Sequence, residues 1–91
     1  MAGPHFTQAK HLKARIRLFE DRKISAADLA RDVHFVAREM FDPEDGPLRR
    51  ALEMLGNKIA VIGERGRVDQ SHSAVLSLVD EIQSELVDRG Y

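Results

Sequence analysis

Four histidines, fifteen carboxylates and no cysteine are what this 91-residue chain offers for chemistry. Without cysteine there is no disulfide, thiolate metal site or cysteine nucleophile. His5, His11, His34 and His72 form no H-x-x-x-H pair and meet no carboxylate at zinc-site spacing. On its helix His34 falls on the polar side, where a histidine is ordinarily solvated. Ser71, His72 and Ser73 are neighbours in sequence, but a nucleophilic triad is assembled in space, so they read as linker and helix cap. The segment GNKIAVIGERG has three glycines yet matches neither G-x-x-x-x-G-K-[ST] nor G-x-G-x-x-G. The adjacent carboxylates Glu44 and Asp45 fall in a turn expected to be exposed, where nothing would hold a carboxyl in the state that acid–base work needs. No metal, cofactor or catalytic constellation is expected, and the chain reads as a non-enzyme.

Two surfaces suited to partners remain. One is basic: Lys10, Lys13 and Arg17 line one face of the first predicted helix, with Arg22 and Lys23 beyond it. Such a row suits phosphates, but it has no interleaved aromatics and no glycine-rich turn. The other is acidic with one aromatic. Phe35 lies off the apolar stripe of the second predicted helix, and Asp28, Asp32 and Glu39 share its side at helical spacing. Asp42, Glu44 and Asp45 follow in the next turn. An aromatic ringed by carboxylates suits a basic protein partner. The other reading keeps Phe35 in a wide core, with the acids facing the basic first helix.

The elements that must position these residues are helices. The composition is 43% hydrophobic and 32% charged, that of a folded globular domain, and three prolines and six glycines leave long stretches unbroken. The longest apolar run is Ile59–Ile62, far too short to span a bilayer. The N-terminus has no apolar segment after its charges, so no signal peptide is expected and the location expected is the cytoplasm. The net charge of −1 argues against strong general affinity for nucleic acid or anionic membrane.

Periodicity places four helices in one domain over residues 1–91, with residues 1–5 as a loose tail. The first runs from Thr7, as N-cap, to Asp21, on a stripe of Ala9, Leu12, Ile16 and Phe19. Ser25 with Asp28 three residues on is a short capping box, and Ile24 with Leu29 a hydrophobic staple, so the second helix opens at Ala26. Its stripe is Leu29, Val33, Val36, Ala37 and Met40, and it should end near Phe41, because Pro43 disfavours helix at Asp42. FDPEDG is a turn. Pro47 opens a third helix whose stripe is Leu48, Leu52, Leu55, Ile59 and Ile62. Gly56 in its middle marks a kink, a close approach of another backbone, or an end followed by a short strand over Lys58–Ile62. Met54 and Val61 form a second apolar line, which belongs either to a wide core or to a homodimer face. GERGRVDQSHS reads as a polar linker with Gly63 and Gly66 as breakers. The fourth helix runs from Ser71 or Ser73 to Arg89 on Val75, Val79, Ile82 and Leu86, widened by Leu76, Leu78 and Val87, and Gly90 stops it.

Charge alternates along these segments. Residues 1–23 carry net +4, residues 24–47 net −4, residues 48–67 net +3 and residues 68–91 net −4. In an up-and-down antiparallel four-helix bundle every adjacent pair would then have opposite sign, which helps select one arrangement.

The stretch RLFEDRKISAADLARDV, residues 17–33, resembles the opening of the small helical immunity proteins of the colicin D type, through Lys23, Ile24, Ser25, Ala26, Asp28 and Leu29. The match spans under a quarter of the chain. The resemblance implies a four-helix bundle that blocks a basic, tRNA-cleaving toxin domain through acidic residues, here Asp28, Asp32 and Glu39 with Asp42, Glu44 and Asp45. The expectation is therefore an all-α bundle acting as a protein-binding module, an immunity-type inhibitor of a basic toxin or nuclease. The alternatives are a nucleic-acid-binding accessory protein using the first helix and a self-associating structural bundle.

Overall fold

In the computed structural model, which describes residues 5–65 and 68–91, four α-helices carry the chain: α1 Phe6–Glu20, α2 Ala26–Glu39, α3 Gly46–Arg65 and α4 Val68–Asp88. A 3-10 turn, Pro43–Asp45, joins α2 to α3, and no strand occurs among the described residues. The short strand over Lys58–Ile62 is thereby ruled out, and α3 passes through Gly56 unbroken to Arg65. The helix α3 packs against α2 on one side and α4 on the other, and α1 packs chiefly on α2.

The apolar stripes are the core. Ala9, Leu12, Ile16 and Phe19 are buried, as are Leu29, Val33, Val36, Ala37 and Met40, then Leu48, Leu52, Leu55 and Ile59, then Val75, Val79, Ile82 and Leu86. Ala30 joins them, while Ile62, Leu76 and Leu78 pack half-buried at the margin. Val87, expected to widen the fourth stripe, is 67% exposed. It stands about 100° round the helix from Leu86, beyond the reach of the stripe.

Local chemistry sets most helix ends. At Ser25 the capping box is complete: its hydroxyl accepts from the Asp28 N–H at 3.1 Å, and the Asp28 carboxylate accepts from the Ser25 N–H at 3.4 Å. Ser25→Ala should cost about 1 kcal/mol of unfolding free energy, read from urea denaturation, because it strands a first-turn N–H. At the end of α1, Arg22 adopts a left-handed conformation (φ 60°), and the Lys23 N–H returns to the Leu18 carbonyl. At the end of α4, Gly90 does the same (φ 86°), and the Tyr91 N–H reaches the Leu86 carbonyl at 2.8 Å. This is a Schellman stop, which folds the residue after glycine back onto the helix.

Three boundaries differ from expectation. Thr7 lies inside the first turn of α1 rather than capping it, since the helix begins at Phe6 behind His5. The linker between α3 and α4 is far shorter than composition implies. Gly63 belongs to α3, where an added Cβ would lie 3.1 Å from Ala26 Cβ, so it is a packing residue and not a breaker. The helix α4 starts at Val68, which puts His72 inside it, its ring stacked 4.7 Å from that of Phe19. The proposed tail over residues 1–4 and the breaker role of Gly66 lie outside the described residues. The proposal does fail at His5, which is 2% exposed and hydrogen-bonded.

Candidate functional site

The acids proposed from sequence separate into those the fold uses and those it leaves outside. Asp28 is taken up in the Ser25 cap. Asp32 accepts from Arg15 Nε at 2.6 Å, a partly buried ion pair that ties α2 to α1. Such a pair contributes about 0–1 kcal/mol, and it partly neutralises the acidic face. Asp42 accepts from the Glu44 N–H at 2.9 Å and so caps the 3-10 turn. Glu39 and Glu44 remain exposed.

Asp45 was expected on the surface and is not there. It is 4% exposed, and the Tyr91 hydroxyl donates to its Oδ2 at 2.5 Å. The same hydroxyl accepts from the His5 N–H at 3.0 Å, and His5 Nε2 accepts from the Asp42 N–H at 3.2 Å. The Lys13 ammonium donates to the main-chain oxygen of Tyr91, and Arg89 donates to the Glu44 carbonyl at 3.4 Å. The start of α1, the α2–α3 turn and the end of α4 are thus tied into one polar cluster. Asp45 is removed from the candidate partner-binding set, because a carboxylate enclosed in this way cannot meet an external cation. Burial and the bond to Asp45 raise the Tyr91 hydroxyl above its ordinary pKa of 10.0, against the lowering effect of the His5 N–H.

Sequence inspection missed this cluster. The available signal was Gly90 followed by the only tyrosine in the chain, since the residue after a Schellman glycine commonly packs back onto the last helical turn.

Phe35, whose place the sequence left open, is 57% exposed. It lines a shallow depression of about 330 Å³ between α1 and α2, together with Thr7, Gln8, His11, Val36 and Glu39. Phe41 is 79% exposed, its ring edge-on to His5 at 5.2 Å, and Phe6 is half-exposed at the first position of α1. Three of the four phenylalanines therefore lie outside the core, towards the end of the bundle where α1 begins and α2 stops. Arg31 and Arg38 occupy the next row of α2, on the side of Phe35 away from α1, so acidic character is confined to the α1 side. Met54 and Val61 are also about half exposed, on α3.

Among the described residues no group of three or more His, Asp or Glu side chains is placed to hold a metal ion. None of their helices is long and apolar enough to cross a membrane. No family model, curated protein or solved structure matches the chain.

Proposed function

We propose that this chain is a non-enzymatic protein-binding module that takes a basic partner on the α1–α2 face around Phe35. The observation that carries the reading is the exposure of Phe35 beside Glu39, in a depression lined from two helices. Burying a phenylalanine is worth about 1.5–3 kcal/mol. Folding forgoes that gain at Phe35, Phe41 and Phe6, and a partner surface would recover it. Aromatic anchors of this kind carry much of the energy of interfaces, while flanking charges set the association rate. Glu39, Glu44 and the partly exposed Asp42 supply those charges. Steric blocking of a basic toxin or nuclease domain, as the resemblance over residues 17–33 implies, is the form of action that best fits a small helical scaffold with such a face.

The bundle itself is read as up-and-down and antiparallel. In support, Gly63 approaches Ala26 while Gly56 approaches Val33 and His34, an opposite running order for α2 and α3. The polar cluster also collects helix beginnings from α1 and α3 and helix ends from α2 and α4.

Phe35→Ala is expected to leave the thermal midpoint within about 2 °C of wild type, since an exposed ring contributes little to folding. It should weaken partner binding by at least about tenfold. The measurement is side-by-side capture from extracts of the source cells on immobilised wild-type and Phe35→Ala chains. A basic protein retained by the first and lost from the second supports the proposal. Identical captured sets, or loss of folding on substitution, contradict it.

A further inference from the structure

The ion pair that ties α1 to α2 has a counterpart two turns away with one member missing. Arg15 on α1 donates to Asp32 on α2 at 2.6 Å. Seven residues back along α1 from Arg15 is Gln8, and seven forward along α2 from Asp32 is Glu39. Seven residues are close to two helical turns, so each position keeps its face and moves about 10 Å along its helix. Gln8 and Glu39 do come together, since both line the depression beside Phe35. The carboxylate of the pair is repeated there and the guanidinium is not. Glu39 is exposed and makes no ion pair or hydrogen bond among the described residues. Glutamine, shorter than arginine and neutral, leaves the space between the helices open.

The other walls suit the group that is absent. Buried Val36 gives an apolar floor. Phe35 stands one turn before Glu39, so ring and carboxylate share a side of α2, with about 5–6 Å between their Cβ atoms. Among the described residues no cation rests on that ring, although Arg31 and Arg38 lie about a turn to either side of it on the same helix. The Thr7 hydroxyl and the Gln8 carboxamide add acceptor oxygens. Glu39 is the only carboxylate lining the depression, and no lysine or arginine lines it.

We infer that this depression takes an arginine side chain of the basic partner, its guanidinium stacked on Phe35 and paired with Glu39. The inference rests on the α1–α2 face being where that partner binds, and it names the group that enters. Arginine suits the site better than lysine because of its shape. The guanidinium is planar and weakly hydrated, so it can lie on a ring face while its edge donates two N–H groups to a carboxylate. Its remaining N–H groups have the Thr7 and Gln8 oxygens as acceptors. An ammonium is a compact, strongly hydrated point charge, and it gives up more water for fewer of these contacts.

The test is an NMR titration of the isotope-labelled full chain with three acetylated, amidated tripeptides: Gly-Arg-Gly, Gly-Lys-Gly and Gly-citrulline-Gly. Citrulline keeps the planar shape of arginine and loses its charge. A buffer at about pH 8 lies above the range in which histidine ordinarily takes up charge, which keeps His11 from adding a cation to the wall. The arginine peptide should shift the amide signals of Gln8, His11, Phe35, Val36 and Glu39 in the millimolar range expected of so small a probe. It should bind at least about fivefold tighter than the lysine peptide and at least about tenfold tighter than the citrulline peptide. Glu39→Gln should weaken the arginine peptide at least about fivefold. Gln8→Arg should abolish the response, because the guanidinium then comes from α1 and takes Glu39. Neither position is buried, and the same spectra show whether each variant is folded; should one not fold, the other decides. An arginine peptide that shifts none of these signals, that is matched by citrulline, or that binds a folded Glu39→Gln or Gln8→Arg chain as well as wild type overturns the proposal. Capture of a basic protein by wild type and not by Phe35→Ala, alongside any of those results, keeps the partner on this face and removes the arginine from the depression.

Discussion

A leucine in place of Gly56 is expected to destabilise the protein by about 2–3 kcal/mol, whereas leucine at the neighbouring exposed Asn57 should cost nothing measurable. The reason is the closeness of α2. A Cβ at position 56 would lie 3.0 Å from His34 Nε2 and 3.2 Å from Val33 Cγ1. Val33 is fully buried and has nowhere to go, while half-buried His34 can swing outward only by giving up its contact with α3. Leucine adds three further carbons to that gap. Replacing glycine inside a helix gains back about 1 kcal/mol in propensity, which is why Gly56→Ala should come out near neutral while the larger side chain does not. Urea denaturation of the three variants reads the series directly. A Gly56→Leu protein as stable as wild type would mean that the two helices do not approach at this point.

Tyr91→Phe should cost about 2 kcal/mol or more, although it removes one oxygen. That hydroxyl donates to buried Asp45 and accepts from the His5 N–H. Deleting it leaves two enclosed polar groups short of a partner, each worth about 1–3 kcal/mol when stranded. Removing the acid as well, in Tyr91→Phe/Asp45→Leu, should cost less than the sum of the single changes, since the stranded carboxylate disappears. The substitution also predicts a pH signature. The hydroxyl pKa is raised in the folded state above 10.0, so the folded form holds its proton more tightly than the unfolded chain does. The corresponding stability is complete below pH 10 and is lost as pH rises through the raised value. Wild type should therefore lose more stability than Tyr91→Phe on going from neutral pH to above pH 10. The comparison cancels the lysines, which titrate in the same range in both proteins. Equal alkaline slopes would place the Tyr91 hydroxyl in solvent.

The parts of this fold that were legible in the sequence are the ones fixed by short-range periodicity. Each stripe residue from Ala9 to Leu86 that the 3.6-residue period picks out is buried, with Ile62 only at the margin. The Ser25 cap was legible because both partners lie within three residues. Gly56 was ambiguous for a physical reason. A mid-helix glycine looks the same in sequence whether it ends a helix or admits a neighbour, and only the position of α2 decides. Asp45, His5 and Tyr91 were illegible because their burial rests on contacts between residues 46 and 86 positions apart. A polar residue in an aspartate-rich turn reads as solvated until another segment closes over it. Phe35 was half legible: its distance from the stripe showed in the spacing, but exposure depended on how far α1 extends across α2. The separation of Asp32 from the free acids depended likewise on Arg15 reaching across that seam.

Whether a basic protein sits on the α1–α2 face around Phe35 is read by amide hydrogen exchange of the chain, free and bound to the partner that wild type captures and Phe35→Ala does not. Slowed exchange is expected from Asp32 to Glu44 and across the first two turns of α1, with α3 and α4 unchanged. Protection confined to the α3–α4 seam, with α2 exchanging as in the free chain, would contradict it.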